Sequence, residues 1–138
     1  MARKEILVVE DEALIGFDLA DLLETAGYSV RGPFATASAA LSAMVGVAVP
    51  LNLAILDVSL GEGQTSEPVA EAMLQTGTPI IFVSGYNSSG SDVLRRFPTA
   101  ERMSKPWDPQ ELLRTVARHV DPAPGLDRAG GDLSPTLA

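Results

Sequence analysis

A chain of 138 residues, 46% hydrophobic but only 5% aromatic, is long enough for one domain with a core of Ala, Val, Leu and Ile. Its 18 acidic and 10 basic residues give a net charge of −8, so the basic footprint of a nucleic-acid binder is missing and cations or basic protein surfaces are the expected partners. Cysteine is absent, which excludes disulfides, thiolate metal sites and cysteine nucleophiles and fits a reducing compartment.

The start, MARKEILVVEDEA, has four consecutive apolar residues before Glu10, too few for a signal-peptide core. No run approaches a membrane span, so the chain reads as soluble and cytoplasmic. Residues 6–9 (ILVV) are short, apolar and branched, as a buried parallel strand should be. Residues 13–26 then place Ile15, Leu19, Leu22 and Leu23 on one helical face and Asp18, Asp21 and Thr25 on the other, with Gly27 as the stop. YSVRG at 28–32 alternates weakly and suits a strand near the sheet edge. An Ala-rich helix is expected over 37–45 after a Thr36 cap.

Residues 53–56 (LAIL) repeat the buried-strand signature, as do residues 80–83 (IIFV). Between them, Val69, Ala70, Met73 and Leu74 trace a helical face over 67–75, closed by Gly77. A helix is due at 87–97, although its NSSGSD start has low helical propensity, and a fifth strand is due at ERMS (101–104), although only Met103 there is apolar. DPQE at 108–111 signals a helix start, with Asp108 as cap, Pro109 at the first position and Glu111 three residues after the cap. Leu112, Leu113, Val116, Ala117 and Val120 form its apolar face. Residues 121–138, with three prolines and three glycines and no periodic pattern, read as a disordered tail after a domain of residues 1–120. The alternation of strand and helix predicts an α/β fold, a parallel sheet with helices on both faces.

In such a sheet, ligands bind beyond the carboxyl ends of the strands. The residues that end the apolar runs are Glu10 and Asp11, then Asp57, then Ser84, with Lys105 after the weak fifth segment. Converging carboxylates repel one another unless a cation joins them. With oxygen donors alone, the expected ion is hard and divalent, Mg²⁺ before Ca²⁺ or Mn²⁺. Beside such an ion, an ionised aspartate can attack a phosphoryl group while a lysine and a hydroxyl bind its oxygens.

Glu10, Asp11, Asp57, Ser84 and Lys105, in this order and on these elements, resemble the response-regulator receiver domain of two-component signalling over residues 5–120. The stretches PIIFVSGYNS (79–88) and ILDVSLGEGQTSEPVAEAM (55–73) resemble the subgroup with a Phe-Ala-Thr-Gly-type motif, which includes stand-alone receivers of alphaproteobacteria. The resemblance implies a doubly wound, flavodoxin-like sheet of order 2-1-3-4-5. It implies Asp57 as phosphoacceptor, and Mg²⁺ held by Glu10, Asp11, Asp57 and the backbone carbonyl of Ser59. Ser84 corresponds to the switch hydroxyl and Lys105 to the lysine before a proline that is usually joined by a cis bond. The implied partners are a histidine kinase or histidine phosphotransfer protein, with a downstream protein target or a phosphate-sink role.

The family commonly has an inward-turning aromatic three positions before the lysine, where this chain has Arg102. A charged group does not turn into a core, so Tyr86 is the expected moving aromatic and residues 85–104 the expected switch surface. His119, beside the apolar face of the last helix, and Trp107 are expected to be structural. The alternative is an aspartyl-phosphate hydrolase of haloacid-dehalogenase type. That group usually carries a second Asp two residues after the nucleophile, where this chain has Ser59.

Overall fold

The computed structural model describes residues 3–46, 50–85 and 92–120. The chain divides into two compact units, Met1–Trp107 and Asp108–Ala138. The first carries β1 (Glu5–Val9), α1 (Ala13–Thr25), β2 (Ser29–Phe34), α2 (Ala37–Met44), β3 (Leu53–Asp57), α3 (Glu67–Thr76), β4 (Ile80–Ser84), α4 (Asp92–Arg96) and β5 (Glu101–Ser104). The second carries α5 (Pro109–Val120). Tyr86, the first part of the helix expected at 87–97, and the tail at 121–138 lie outside the described residues.

All strands are parallel, in the order β2-β1-β3-β4-β5. The order reverses between β1 and β3, which makes the crevice beyond their carboxyl ends the place for a ligand. Both strands read as continuous apolar runs because both of their faces are covered. One face carries Leu7, Val9, Ala54, Leu56 and Phe82, packed with Ala40 of α2, Val69, Ala70 and Met73 of α3, and Val93 and Leu94 of α4. By strand alternation Ile6, Val8 and Ile55 point the other way. The buried Leu19 and Leu23 of α1 lie outside the first cluster.

Local chemistry sets the boundaries. Thr36 caps α2 by accepting the Ala39 N–H at 3.0 Å. Gly77 closes α3 in the left-handed region (φ 74°), where the absence of a Cβ removes the steric cost. In the second unit, Asp108 Oδ2 accepts the Glu111 N–H at 2.9 Å, the cap that the DPQE signature predicts. Leu112, Val116 and Val120 are buried.

Two local readings change. Leu74 is 67% exposed, because Val69, Ala70 and Met73 centre the buried face of α3 and Leu74 falls at its margin. The second strand runs beyond residue 32 to Phe34, through Gly32 and Pro33. The sparse segment ERMS is a full strand. Its residues register with β4 from Ile81 against Glu101 to Ser84 against Ser104.

Candidate functional site

β1 delivers Glu10 and Asp11 to the crevice, and β3 ends on Asp57. Glu10 is 5% exposed and Asp57 4%, so the core is carried up to the site as two ionisable groups. Lys105 follows β5, and its backbone N–H donates to Ser84 O at 3.0 Å, extending the β4–β5 ladder by one step. The Lys105–Pro106 peptide is cis. The lysine side chain spans the sheet edge, with Nζ 2.8 Å from Asp57 Oδ2 and 2.9 Å from Glu10 Oε1.

Glu10 is held from a second side, where its Oε2 accepts the Glu12 backbone N–H at 3.0 Å. Glu12 Oε1 in turn lies 3.7 Å from Lys105 Nζ. One ammonium therefore serves three carboxylates. Glu12 is the participant that the sequence reading did not single out. The signal was the EDE run itself, whose third member returns to the site because the chain turns immediately after β1.

Burial pushes the Asp57 carboxyl up to about 7 in the absence of a metal ion; Lys105 opposes that rise, and the charge of Glu10 reinforces it. Burial alone would lower Lys105, but hydrogen bonds to Asp57 and Glu10 outweigh it and raise its pKa. The two shifts pull in opposite senses for the pair. The geometry favours a charged lysine clamped between acids, with Asp57 as the acid whose charge is hardest to keep.

Glu10, Asp11 and Asp57 can each bring one carboxylate oxygen within 4.8 Å of the others. Asp11 is the most exposed of the three. Three hard oxygen donors with an open side fit a divalent cation of the Mg²⁺ class, which retains water ligands.

The remaining site residues are positioned by the backbone. Ser84 ends β4, half-buried, beside the point where Lys105 emerges. Ser59 is exposed on the loop after β3 and pairs with Thr65 in an isolated antiparallel bridge. That loop is closed by Leu60 N–H to Gln64 O at 2.8 Å and by Gln64 N–H to Gly61 O at 2.9 Å. Gly61 has φ +86°, and a Cβ there would stand 3.3 Å from Asp11 Oδ2, so the loop passes close to the acidic cluster. Arg102 is exposed on β5, and its Nη2 donates to Leu94 O of α4 at 3.2 Å. Trp107 is half-buried and borders a cleft beside Lys105.

No family model matches the sequence. The fold is similar to a response regulator receiver domain protein (CheY-like) from Methanospirillum hungatei JF-1, with TM-score 0.73 and 28% identity over 87% of this chain and 95% of that one. It is also similar to SdrG from Sphingomonas melonis Fr1, with TM-score 0.71 and 33% identity over 85% of this chain and 97% of that one. An uncharacterised transcriptional regulatory protein of Bacillus subtilis is 34% identical over 114 residues, which is 82% of this chain. The chain spans about half, 49%, of the length of that curated relative.

Proposed function

Because the chain belongs to the response-regulator receiver (CheY-like) family, we propose that it accepts a phosphoryl group on Asp57 from a histidine kinase or histidine phosphotransfer protein. The observation that carries this reading is the Lys105 ammonium bridging Asp57 and Glu10 at 2.8 and 2.9 Å beyond the carboxyl ends of parallel strands. An Asp57 oxygen attacks phosphorus, the P–O bond forms as the P–N bond of the donor histidine breaks, and the imidazole nitrogen keeps the electron pair. Lys105 then pairs with the phosphoryl oxygens, and Ser84 donates its hydroxyl to another.

Glu10, Asp11, Asp57 and the Ser59 carbonyl are the residues assigned to Mg²⁺. The ion supplies charge neutralisation at the transferring phosphoryl group. A bound cation would offset the burial, and the lesser effect of the Glu10 charge, that together raise the Asp57 carboxyl.

The protein acts as a cytoplasmic signalling domain that assists its own phosphorylation, with residues 1–120 as the receiver. Its output is a change of the 85–104 surface toward a downstream partner, with Ser84, Tyr86 and Arg102 as the switching residues, or removal of phosphate from the kinase as a sink. The hydrolase alternative gains no support, since Ser59 offers no carboxyl for acid/base work.

Intact-mass spectrometry with acetyl phosphate tests the reading. One phosphoryl group should add only when Mg²⁺ is present, be removed by hydroxylamine, and be absent from Asp57→Ala. Labelling that persists in Asp57→Ala would place the acceptor elsewhere.

A further inference from the structure

A cleft of about 450 Å³ opens beside Lys105. Glu12, Ile15 and Asp18 line it from the start of α1, and Gly85, Pro106 and Trp107 line it from the segments after β4 and β5. Glu12, the N-cap of α1, and Ile15 and Asp18 within it recur at every third position, so they form a row with a carboxylate on each side of one isoleucine. Pro106 and Trp107 give the opposing segments an apolar surface.

Charge decides what the cleft accepts. Among the described residues lining it, the cation is Lys105, and its Nζ is already held by Asp57, Glu10 and Glu12 at 2.8, 2.9 and 3.7 Å. Lys105 Nζ is turned to the acids at the strand ends, where the phosphoryl group is to be received. An anion resting against the α1 side of the cleft would therefore meet Glu12 and Asp18. Glu12 is 62% exposed at its side chain, so its carboxylate faces solvent as well as the lysine. An apolar slot bordered by two carboxylates matches a side chain with an apolar stem and a cationic head. Trp107 in the lining supplies an aromatic partner of the kind a planar guanidinium stacks on.

The occupant belongs to a macromolecule. Leu14 and Phe17, 81% and 61% exposed, extend the apolar surface along α1 beyond the cleft. Whatever delivers a phosphoryl group to Asp57 must also come to rest beside this mouth. We propose that the cleft receives a basic side chain, arginine in class, from the protein that donates the phosphoryl group. The assignment of the donor rests on the phosphoacceptor reading above, whereas the chemistry of the cleft does not.

Trp107 is the single tryptophan, so its fluorescence reports on the cleft directly. Benzamidine, a planar cation on an apolar body, is titrated against wild type in saturating Mg²⁺, alongside its neutral isostere benzamide and the anion benzoate. Benzamidine should bind saturably with a Kd on the order of 1–10 mM, as suits a fragment of its size. Benzamide should bind at least three-fold more weakly, and benzoate should give no saturable change. The double variant Glu12→Gln with Asp18→Asn, both exposed positions, should abolish the preference for benzamidine over benzamide.

Equal binding of the three probes, an unchanged preference in the variant, or no saturable response to benzamidine would each overturn the proposal. Acetyl phosphate labelling of wild type is followed in parallel. Its failure would remove the phosphoacceptor reading and the donor assignment, while leaving the cation preference of the cleft standing on its own titration.

Discussion

β3 and β5 both carry the chain to the functional edge of the sheet, yet they are built in opposite ways. All five residues of β3, LAILD, are buried, whereas those of β5, ERMS, alternate between half-buried and exposed. The difference follows from position. β3 is central, between β1 and β4, and β5 is the edge strand beside β4. A central strand must be apolar on both faces, while an edge strand is held by its ladder and tolerates charge, which also discourages unwanted pairing.

The chemistry tolerates the same division. Asp57 has a short side chain, so its carboxylate is only as well placed as the backbone beneath it. Lys105 reaches the site on four methylenes and can start from a softer strand.

The largest test of this division is chemical. Asp57→Asn should abolish phosphorylation by acetyl phosphate, because the amide is no nucleophile. Lys105→Met should slow it on the order of 100-fold, the usual effect of losing one charge-stabilising group, while Mg²⁺ still binds. Time courses by intact mass separate the two outcomes. A lysine variant that reacts at the wild-type rate would show that the 2.8 Å contact is structural alone.

Stability gives the next contrast. Leu56 in β3 is fully buried, so Leu56→Ala should cost about 2–5 kcal/mol. Met103 in β5 is half-buried, and Met103→Ala should cost about 1 kcal/mol or less. Urea unfolding measures both. Equal losses would mean that β5 is as much a part of the core as β3.

The contrast also explains what was legible in the sequence. The apolar runs at 6–9, 53–56 and 80–83 declared themselves because burial on both faces leaves little choice of residue. The convergence of Glu10 and Asp57 followed from where those runs end, and Lys105 was placed by its position after the weak fifth segment. The receiver strand order came from the family resemblance of these residues. ERMS carried no such signal, since its strand identity comes from pairing with Ile81 to Ser84 rather than from its own residues. The third carboxylate on Lys105 was equally hidden: Glu12 reaches the lysine through a turn whose geometry depends on the Glu10 side chain accepting the Glu12 N–H. Leu74 misled because a helical pattern defines a face more sharply than its edges.

A smaller effect concerns the charge held at the end of β3. The folded-state pKa of Asp57 is raised from 3.8 to about 7, chiefly by burial. A raised carboxyl means that the folded protein holds its proton more tightly than the unfolded chain. Its contribution to stability is therefore fully present below about pH 4 and is lost as pH rises through about 7. For this group, the metal-free protein should gain stability as pH falls from 8 to 5, and Mg²⁺ should flatten that slope. At pH 8 without metal, Asp57→Asn should be more stable than wild type by about 1–3 kcal/mol, since it removes a buried charge beside Glu10. Thermal melts across pH, with and without Mg²⁺, check the sign. A destabilised Asn variant would mean that the Lys105 contact outweighs burial.

The smallest predicted effect lies in β5. Arg102 replaces the family's inward-turning aromatic and instead donates to Leu94 O at 3.2 Å. That carbonyl belongs to the five-residue helix α4 and also accepts the Phe97 N–H at 3.4 Å. The guanidinium therefore adds a second bond near the end of a short helix and ties it to the edge strand. The bond is partly solvated and replaces one to water, so Arg102→Ala should cost on the order of 0.5 kcal/mol in global stability. Its local effect should be easier to read. Hydrogen exchange at α4 and β5 should quicken several-fold in Arg102→Ala, while the amides of β3 keep wild-type protection, because opening an edge element leaves the central strands paired. Arg102→Lys should restore little, since a lysine ammonium lacks the guanidinium's planar, pre-organised donor fork. If exchange in β3 quickens as much as in β5, the edge and the centre open as one unit and the division between them dissolves.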